Sequence, residues 1–91
     1  MREIFQQSPF KADLKRVSRS GRYKSDDVLE VVAMLANDET LPERYHVHAL
    51  TGNWKDFRDC HVKPDLVLIY QKPDDTRLLL VRLGSHSELG L

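Results

Sequence analysis

Leu66-Val67-Leu68-Ile69-Tyr70 lies between Lys63-Pro64-Asp65 and Pro73-Asp74-Asp75, and the reading of this stretch decides the fold. An unbroken apolar run of this length suits a central strand covered on both faces. The Pro-Asp pairs on either side are turn chemistry: proline presets φ, and aspartate bonds to backbone two residues on. Past the second turn, Leu78-Leu79-Leu80-Val81-Arg82-Leu83 reads as another strand, stopped by Gly84. Before the first turn, Trp54 to Val62 carries aromatics and alternates. There Trp54, Asp56, Arg58 and Cys60 fall on one face, with Lys55, Phe57, Asp59 and His61 on the other. Turns this short join antiparallel neighbours, so the three runs form a meander.

Upstream of Pro42 the period changes from two to that of a helix. Ser8-Pro9 reads as a helix start, with serine as cap and proline in the first turn. Phe10, Leu14 and Val17 follow at helical spacing, and Gly21 is a stop. A second start stands at Ser25, where Asp26 and Asp27 suit the positive end of the helix dipole. Val28, Val32 and Leu35 repeat along one face, Leu29, Val31 and Met34 widen the stripe, and Asn37-Asp38 and Pro42 close it. Ile4-Phe5 reads as a short first strand, and residues 43–52 as loop. The expectation is an α+β fold: a small, mostly antiparallel sheet made of the N-terminal strand and the C-terminal meander. A two-helix hairpin covers one of its faces.

The 91 residues point to one domain spanning 1–91. A chain of this size buries about 60–65% of the surface it exposes unfolded, so it holds one modest core. Its hydrophobic fraction of 41% and charged fraction of 31% are ordinary for a soluble globular protein. Cys60 is the lone cysteine, which rules out an internal disulfide and fits a reducing cytoplasm. Neither a signal-peptide pattern nor a membrane-length apolar run is present, so no membrane partner is expected.

Fourteen basic residues balance 14 acidic ones, which counts against a globally basic nucleic-acid binder. The distribution is uneven. Lys11, Lys15, Arg16, Arg19, Arg22 and Lys24 crowd the first helical segment against Asp13 alone. Asp26, Asp27, Glu30, Asp38, Glu39 and Glu43 occupy the second, with no base among them. Such blocks read either as solvated helix faces or as a basic strip for RNA or an acidic partner.

All four histidines lie between positions 46 and 86. His61 stands four residues before Asp65, across the Pro64 turn, and Asp59 shares its face in a strand. His86 follows Gly84-Ser85, just past the last strand, which Arg82 nearly ends. With strands paired in order, residues 48, 61–65 and 82–86 converge at one edge of the sheet. Imidazole titrates near neutrality and both gives and takes protons. Cleaving RNA requires a base for the 2′-hydroxyl, an acid for the leaving 5′-oxygen, and a cation for the charge that grows on phosphorus. Histidines, a carboxylate and an arginine supply these without a metal or other cofactor. Plainer readings stand beside this one. His46 is a solvent-facing loop residue, Asp59 pairs with Arg58 or Lys55, Asp65 caps its turn, and Trp54 packs. Cys60 is a small buried residue, with nothing in its surroundings to activate a thiol. His48, His61, Asp65 and His86 as metal ligands match no compact zinc spacing.

The run from His48 to Asp65, with Gly52, Trp54, Arg58-Asp59, His61-Val62 and Pro64-Asp65 at its marked positions, has two companions. They are Leu68-Ile69-Tyr70 and Arg82-Leu83-Gly84-Ser85-His86. Together they cover about half the chain and resemble the YafQ-type branch of the RelE/ParE toxin superfamily, whose order of elements also agrees. The resemblance implies a RelE-like toxin of a type II toxin–antitoxin pair. Such a toxin is an endoribonuclease that cuts mRNA in the A site of the 70S ribosome and so stops translation. It implies a cognate antitoxin that wraps the toxin, with operator DNA bound only through their complex. The family's catalytic positions fall on His48, His61, Asp65 and His86. Asp59 falls on a supporting position, and Arg82 on one that stabilises the transition state. Lys11, Lys15, Arg16, Arg19 and Arg22 become the expected contacts to RNA and ribosome.

The sequence departs from the family pattern in two places. Leu66 stands where an aromatic usually follows Pro-Asp, and the tail reads Leu89-Gly90-Leu91 where a phenylalanine is usual. A ring there would stack on a base, worth ~1–3 kcal/mol. Two other functions fit the chain: a RelE-fold binding module that blocks the ribosome without cutting and makes no chemical use of the histidines, and a metal-dependent hydrolase that uses the same histidines.

Overall fold

Pro9 and Gly21 bracket the first helix. In the computed structural model, which describes residues 1–91, α1 spans Ser8–Ser20 and ends on Gly21 at φ 75°, a left-handed conformation that favours glycine. The cap position is Gln7 rather than Ser8, which sits inside the first turn, and no side chain caps the helix. α2 spans Ser25–Ala36 with Asp26 and Asp27 in its first turn. Val28, Val31, Val32 and Leu35 are buried, whereas Leu29 is 54% exposed. The expected stripe is therefore narrower. Its axis runs through 28, 31, 32 and 35, and residue 29 turns off it toward solvent.

Five strands form one sheet in the order β1-β5-β4-β3-β2. They are β1 (Glu3–Gln6), β2 (His48–Ala49), β3 (Arg58–Lys63), β4 (Leu66–Gln71) and β5 (Arg77–Gly84). The meander β3-β4-β5 is antiparallel throughout. β1 lies parallel to β5, its chain carried back across the sheet by the two helices and the meander. The α+β reading with a mostly antiparallel sheet thus holds. Two expectations around it do not.

The loop 43–52 contains a strand, because His48 and Ala49 pair with Asp59 and Arg58 of β3. And β3 begins at Arg58, not Trp54. Gly52–Trp54 form a 3₁₀ turn, and Asp56 takes φ 79°, which breaks the extended alternation. The aromatics that suggested a strand instead meet edge to face, Trp54 against Phe57 at 5.6 Å between centroids.

The helices pack on the sheet face that carries Cys60, Val62, Leu68, Leu80 and Leu83, and make the main core. The other face has its own smaller cluster. Val67, Ile69 and Leu89 are buried there beneath Leu50, Trp54, Phe57 and Val81. β4 is accordingly buried on both faces from Leu66 to Tyr70. Its pairing with β5 slips between Ile69 and Tyr70, which face Arg82 and Leu80, so Val81 is the extra residue of a β-bulge. The last element, α3 (His86–Leu89), is one helical turn, capped by Ser85. No helix is long and apolar enough to cross a membrane.

Candidate active site

Strand alternation creates the site. Cys60 and Val62 point into the main core, so Asp59 and His61 point to the opposite face. β2 lays His48 directly against Asp59. On the other side, His61 faces Val67 of β4, and Val67 faces Gly84 of β5. Two residues past Gly84 the chain turns into α3, whose first residue is His86. Asp65 stands in the tight turn between β3 and β4. Of the expected convergence, the topology brings His48, His61, Asp65 and His86 together, while the Arg82 guanidinium turns to α1.

The imidazoles of His61 and His86 lie 5.0 Å apart between centroids, nearly edge to face. His48 lies 6.5 Å from His61. His46 belongs to the same group, 5.3 Å from His61 and stacked at 6.4 Å over His48. His46 is an exposed loop residue, as expected, and its ring also borders the cluster. It takes φ 46° at the end of a 3₁₀ turn, and its ring stacks with that of its i+2 neighbour.

Two carboxylates border the cluster, and one of them is bonded to it. Asp65 Oδ1 accepts from the His86 ring, with Nδ1 at 3.1 Å, and from the His86 backbone N–H at 3.4 Å. These bonds keep the exposed Asp65 carboxyl below its ordinary value. Asp59 is 5% exposed, its Oδ1 has no hydrogen-bond partner, and His48 Nδ1 stands 3.9 Å away. Burial pushes the His61 pKa down, and the neighbouring His86, His46 and His48 push the same way, against the pull of Asp59. His61 is thereby held neutral at ordinary pH.

Arg82 is placed differently from the histidines. Its Nε and Nη2 donate to Asp13 of α1 at 2.7 and 3.3 Å, which raises the Arg82 pKa further and leaves Nη1 free. Asp13 is 7% exposed. Burial raises its pKa, but the bonds from Arg82, from the Leu83 backbone N–H and from Arg16 outweigh burial and lower it overall. Sequence reasoning missed Asp13, although an acid at i+3 from Phe10 on the apolar face already marks a carboxylate that must find a buried partner. Of the basic strip, Lys11, Lys15, Arg19 and Arg22 are exposed. Arg16 is paired with Glu88 at 2.7 Å and with Asp13 at 3.4 Å. Cys60 is fully buried, and burial pushes its thiol up to about 12, so it is no nucleophile. Leu66, in the place of a family aromatic, is part of the main core, and Leu91 at the tail is 41% exposed.

Comparison with known proteins agrees with this architecture. The family described as bacterial toxin of type II toxin-antitoxin system, YafQ, matches residues 2–90. The mRNA interferase toxin YafQ of Escherichia coli K12 is 37% identical over 90 residues, covering 97% of this chain and 95% of that one. A metal-bound toxin from Helicobacter pylori superposes with a TM-score of 0.89 at 46% identity, covering 98% of this chain and 99% of that one. The E. coli DinJ–YafQ complex gives 0.85 at 32% identity, with 98% of both chains covered. Imidazoles are good ligands for copper and zinc. In the present geometry, however, no three His, Cys, Asp or Glu side chains are arranged to hold one ion between them.

Proposed function

The chain belongs to the YafQ family of bacterial toxins of type II toxin–antitoxin systems, and from that premise we propose that it is an mRNA interferase that cuts mRNA in the ribosomal A site by acid–base catalysis. The observation that carries this reading is the His86–Asp65 pair beside His61. One imidazole is oriented by a carboxylate and the next is held neutral, 5.0 Å apart between centroids.

In this mechanism neutral His61 takes the proton of the 2′-hydroxyl. The 2′-oxygen attacks the adjacent phosphorus, and the bond to the 5′-oxygen breaks. His86, its Nδ1 fixed on Asp65, presents Nε2 and supplies the proton that the leaving 5′-oxygen needs. The products are a 2′,3′-cyclic phosphate and a 5′-hydroxyl. His48, with the buried Asp59 carboxylate 3.9 Å from its Nδ1, binds the phosphate. Nη1 of Arg82 stabilises the charge that builds on it, with the rest of that guanidinium held by Asp13. Each general acid or base contributes about 10²–10⁴-fold. No step is routed through a metal.

Lys11, Lys15, Arg19 and Arg22 supply the local positive field that docks the toxin on RNA, since the net charge is zero. A cognate antitoxin is the protein partner, as DinJ is for the E. coli relative. Operator DNA is reached only through that complex, and the setting is the cytoplasm.

The test is cleavage of mRNA on translating ribosomes, with the ends examined. Cyclic phosphate ends that disappear with His86→Ala support the reading. Intact mRNA on stalled ribosomes makes the protein a blocker, and activity lost to a chelator makes it a metal-dependent hydrolase.

A further inference from the structure

His86 sits on a helix too short to hold itself. α3 has four residues, and a single turn is not stable on its own backbone bonds. Its shape is set by side chains. The Ser85 hydroxyl accepts from the Glu88 N–H at 3.2 Å, and Glu88 Oε1 accepts from the Ser85 N–H at 2.8 Å. His86 lies inside this reciprocal box. The box is in turn fastened to α1, far away in sequence. Arg16 Nη1 donates to Glu88 Oε2 at 2.7 Å, and Arg16 Nη2 donates to the Leu83 carbonyl at 3.1 Å and to Asp13 at 3.4 Å. Asp13 Oδ2 accepts from the Leu83 N–H at 3.0 Å and from Arg82 Nε at 2.7 Å.

We propose that Asp13 and Arg16 of α1 are positioning residues for His86, acting through Glu88 and the Leu83 backbone to fix the turn that carries the imidazole. This inference rests on the catalytic role given to His86 above. Asp65 then holds the ring from one side while the α1 clamp holds the backbone from the other.

Two further observations support the clamp. Arg16 differs from the rest of the basic strip: Lys11, Lys15, Arg19 and Arg22 make no ion pair, while Arg16 is shared between two carboxylates. A guanidinium neutralised in this way is a poor phosphate contact and a good brace. The joint is also tightly packed. A Cβ added at Gly84 would stand 3.2 Å from Glu88 Oε1 and 3.3 Å from Arg16 Nη2. Glycine lets the brace cross the strand end closely.

Misplacing a reacting group by about 1 Å costs up to about 10²-fold in rate. Arg16→Ala is therefore expected to lower kcat for cleavage of ribosome-bound mRNA about ten- to hundredfold, with KM unchanged within about twofold. Its salt dependence should match that of the parent, because no phosphate contact is lost. In NMR spectra of the purified full-length toxin, the His86 ring signals should move, while those of His46 and His48 stay. Arg16→Lys keeps the charge but not the fork that bonds Glu88 and the Leu83 carbonyl together, and should recover part of the rate. Glu88→Gln should behave like Arg16→Ala, and it carries the test if Arg16→Ala does not fold.

A raised KM with unchanged kcat and a shallower salt dependence would make Arg16 an RNA contact and overturn the clamp. So would unmoved His86 signals in a variant that still folds. His86→Ala separates the two ideas. If it is inactive while Arg16→Ala is fully active, the clamp alone fails. If His86→Ala cleaves normally, the catalytic reading fails and the clamp with it.

Discussion

Asp65 Oδ1 accepts both the ring and the backbone N–H of His86, at 3.1 and 3.4 Å, so one exposed carboxylate ties the β3–β4 turn to the helix that follows β5. The ring bond occupies Nδ1 and leaves Nε2 for the proton transfer proposed above. Asp65→Ala frees the ring and removes nothing from the core. Its expected effect is a kcat reduced at least about tenfold, up to the ~10²–10⁴ of an acid–base group. Thermal stability should fall only slightly, because the bonds lost are solvent-exposed and the core is untouched. Single-turnover cleavage and a melting curve check both.

His61 gives a signed expectation for pH. Its folded pKa lies below the ordinary 6.5, through burial first and then its histidine neighbours. Below 6.5 the unfolded chain takes up this proton before the folded one does. His61 therefore contributes full stability above 6.5 and loses it as pH falls toward the depressed folded value. His61→Gln should flatten that part of the stability curve, measured by denaturant unfolding between pH 7 and 5. The same depression keeps the base active, so the acid limb of kcat/KM should fall below pH 6.5. A limb well above it would remove His61 from the role of base.

Asp59 places a buried carboxylate oxygen with no partner beneath the histidines. An unsatisfied buried polar group costs about 1–3 kcal/mol, more when charged. Asp59→Asn keeps the shape and removes the charge. The expected result is a more stable and less active protein. The melting temperature should rise by several degrees, given ~4–8 °C per kcal/mol in a domain of this size. Cleavage should fall, because the negative charge 3.9 Å from His48 Nδ1 is lost. A variant that loses stability along with activity would make Asp59 a structural support instead.

These residues also divide what the sequence discloses from what it conceals. The Ser8-Pro9 start and the Gly21 stop are local chemistry, and α1 follows them to within a residue. The meander follows from short Pro-Asp turns and apolar runs, and once its strands alternate, Asp59 and His61 must share a face. β2 has two residues and exists only because β3 lies beside it, so no local period announces it. Trp54 and Phe57 look like strand residues because β-propensity records a fit to a half-buried surface. Here that surface is the second cluster, and Asp56 at φ 79° breaks the strand they would have formed. The histidine site was legible through its strand positions. Joining His46 to it required the 3₁₀ turn at Glu43–Tyr45, and assigning Arg82 and Arg16 their partners required α1 to be packed on β5.

The basic strip provides the last prediction. Lys15 and Arg19 are exposed on α1 and carry no ion pair, unlike Arg16 on the same helix. If they dock the toxin on RNA, each phosphate contact releases counterions and adds about 0.7–0.9 to the slope of log K against log salt. Lys15→Ala and Arg19→Ala should each weaken binding to programmed ribosomes at low salt, and each should make the slope shallower by up to that amount. kcat at saturation should stay the same, since neither side chain belongs to the histidine cluster. Arg16→Ala should do the reverse, lowering kcat and leaving the slope alone. Two substitutions one residue apart in sequence, one acting on binding and the other on turnover, would distinguish the outer face of α1 from the side that braces His86.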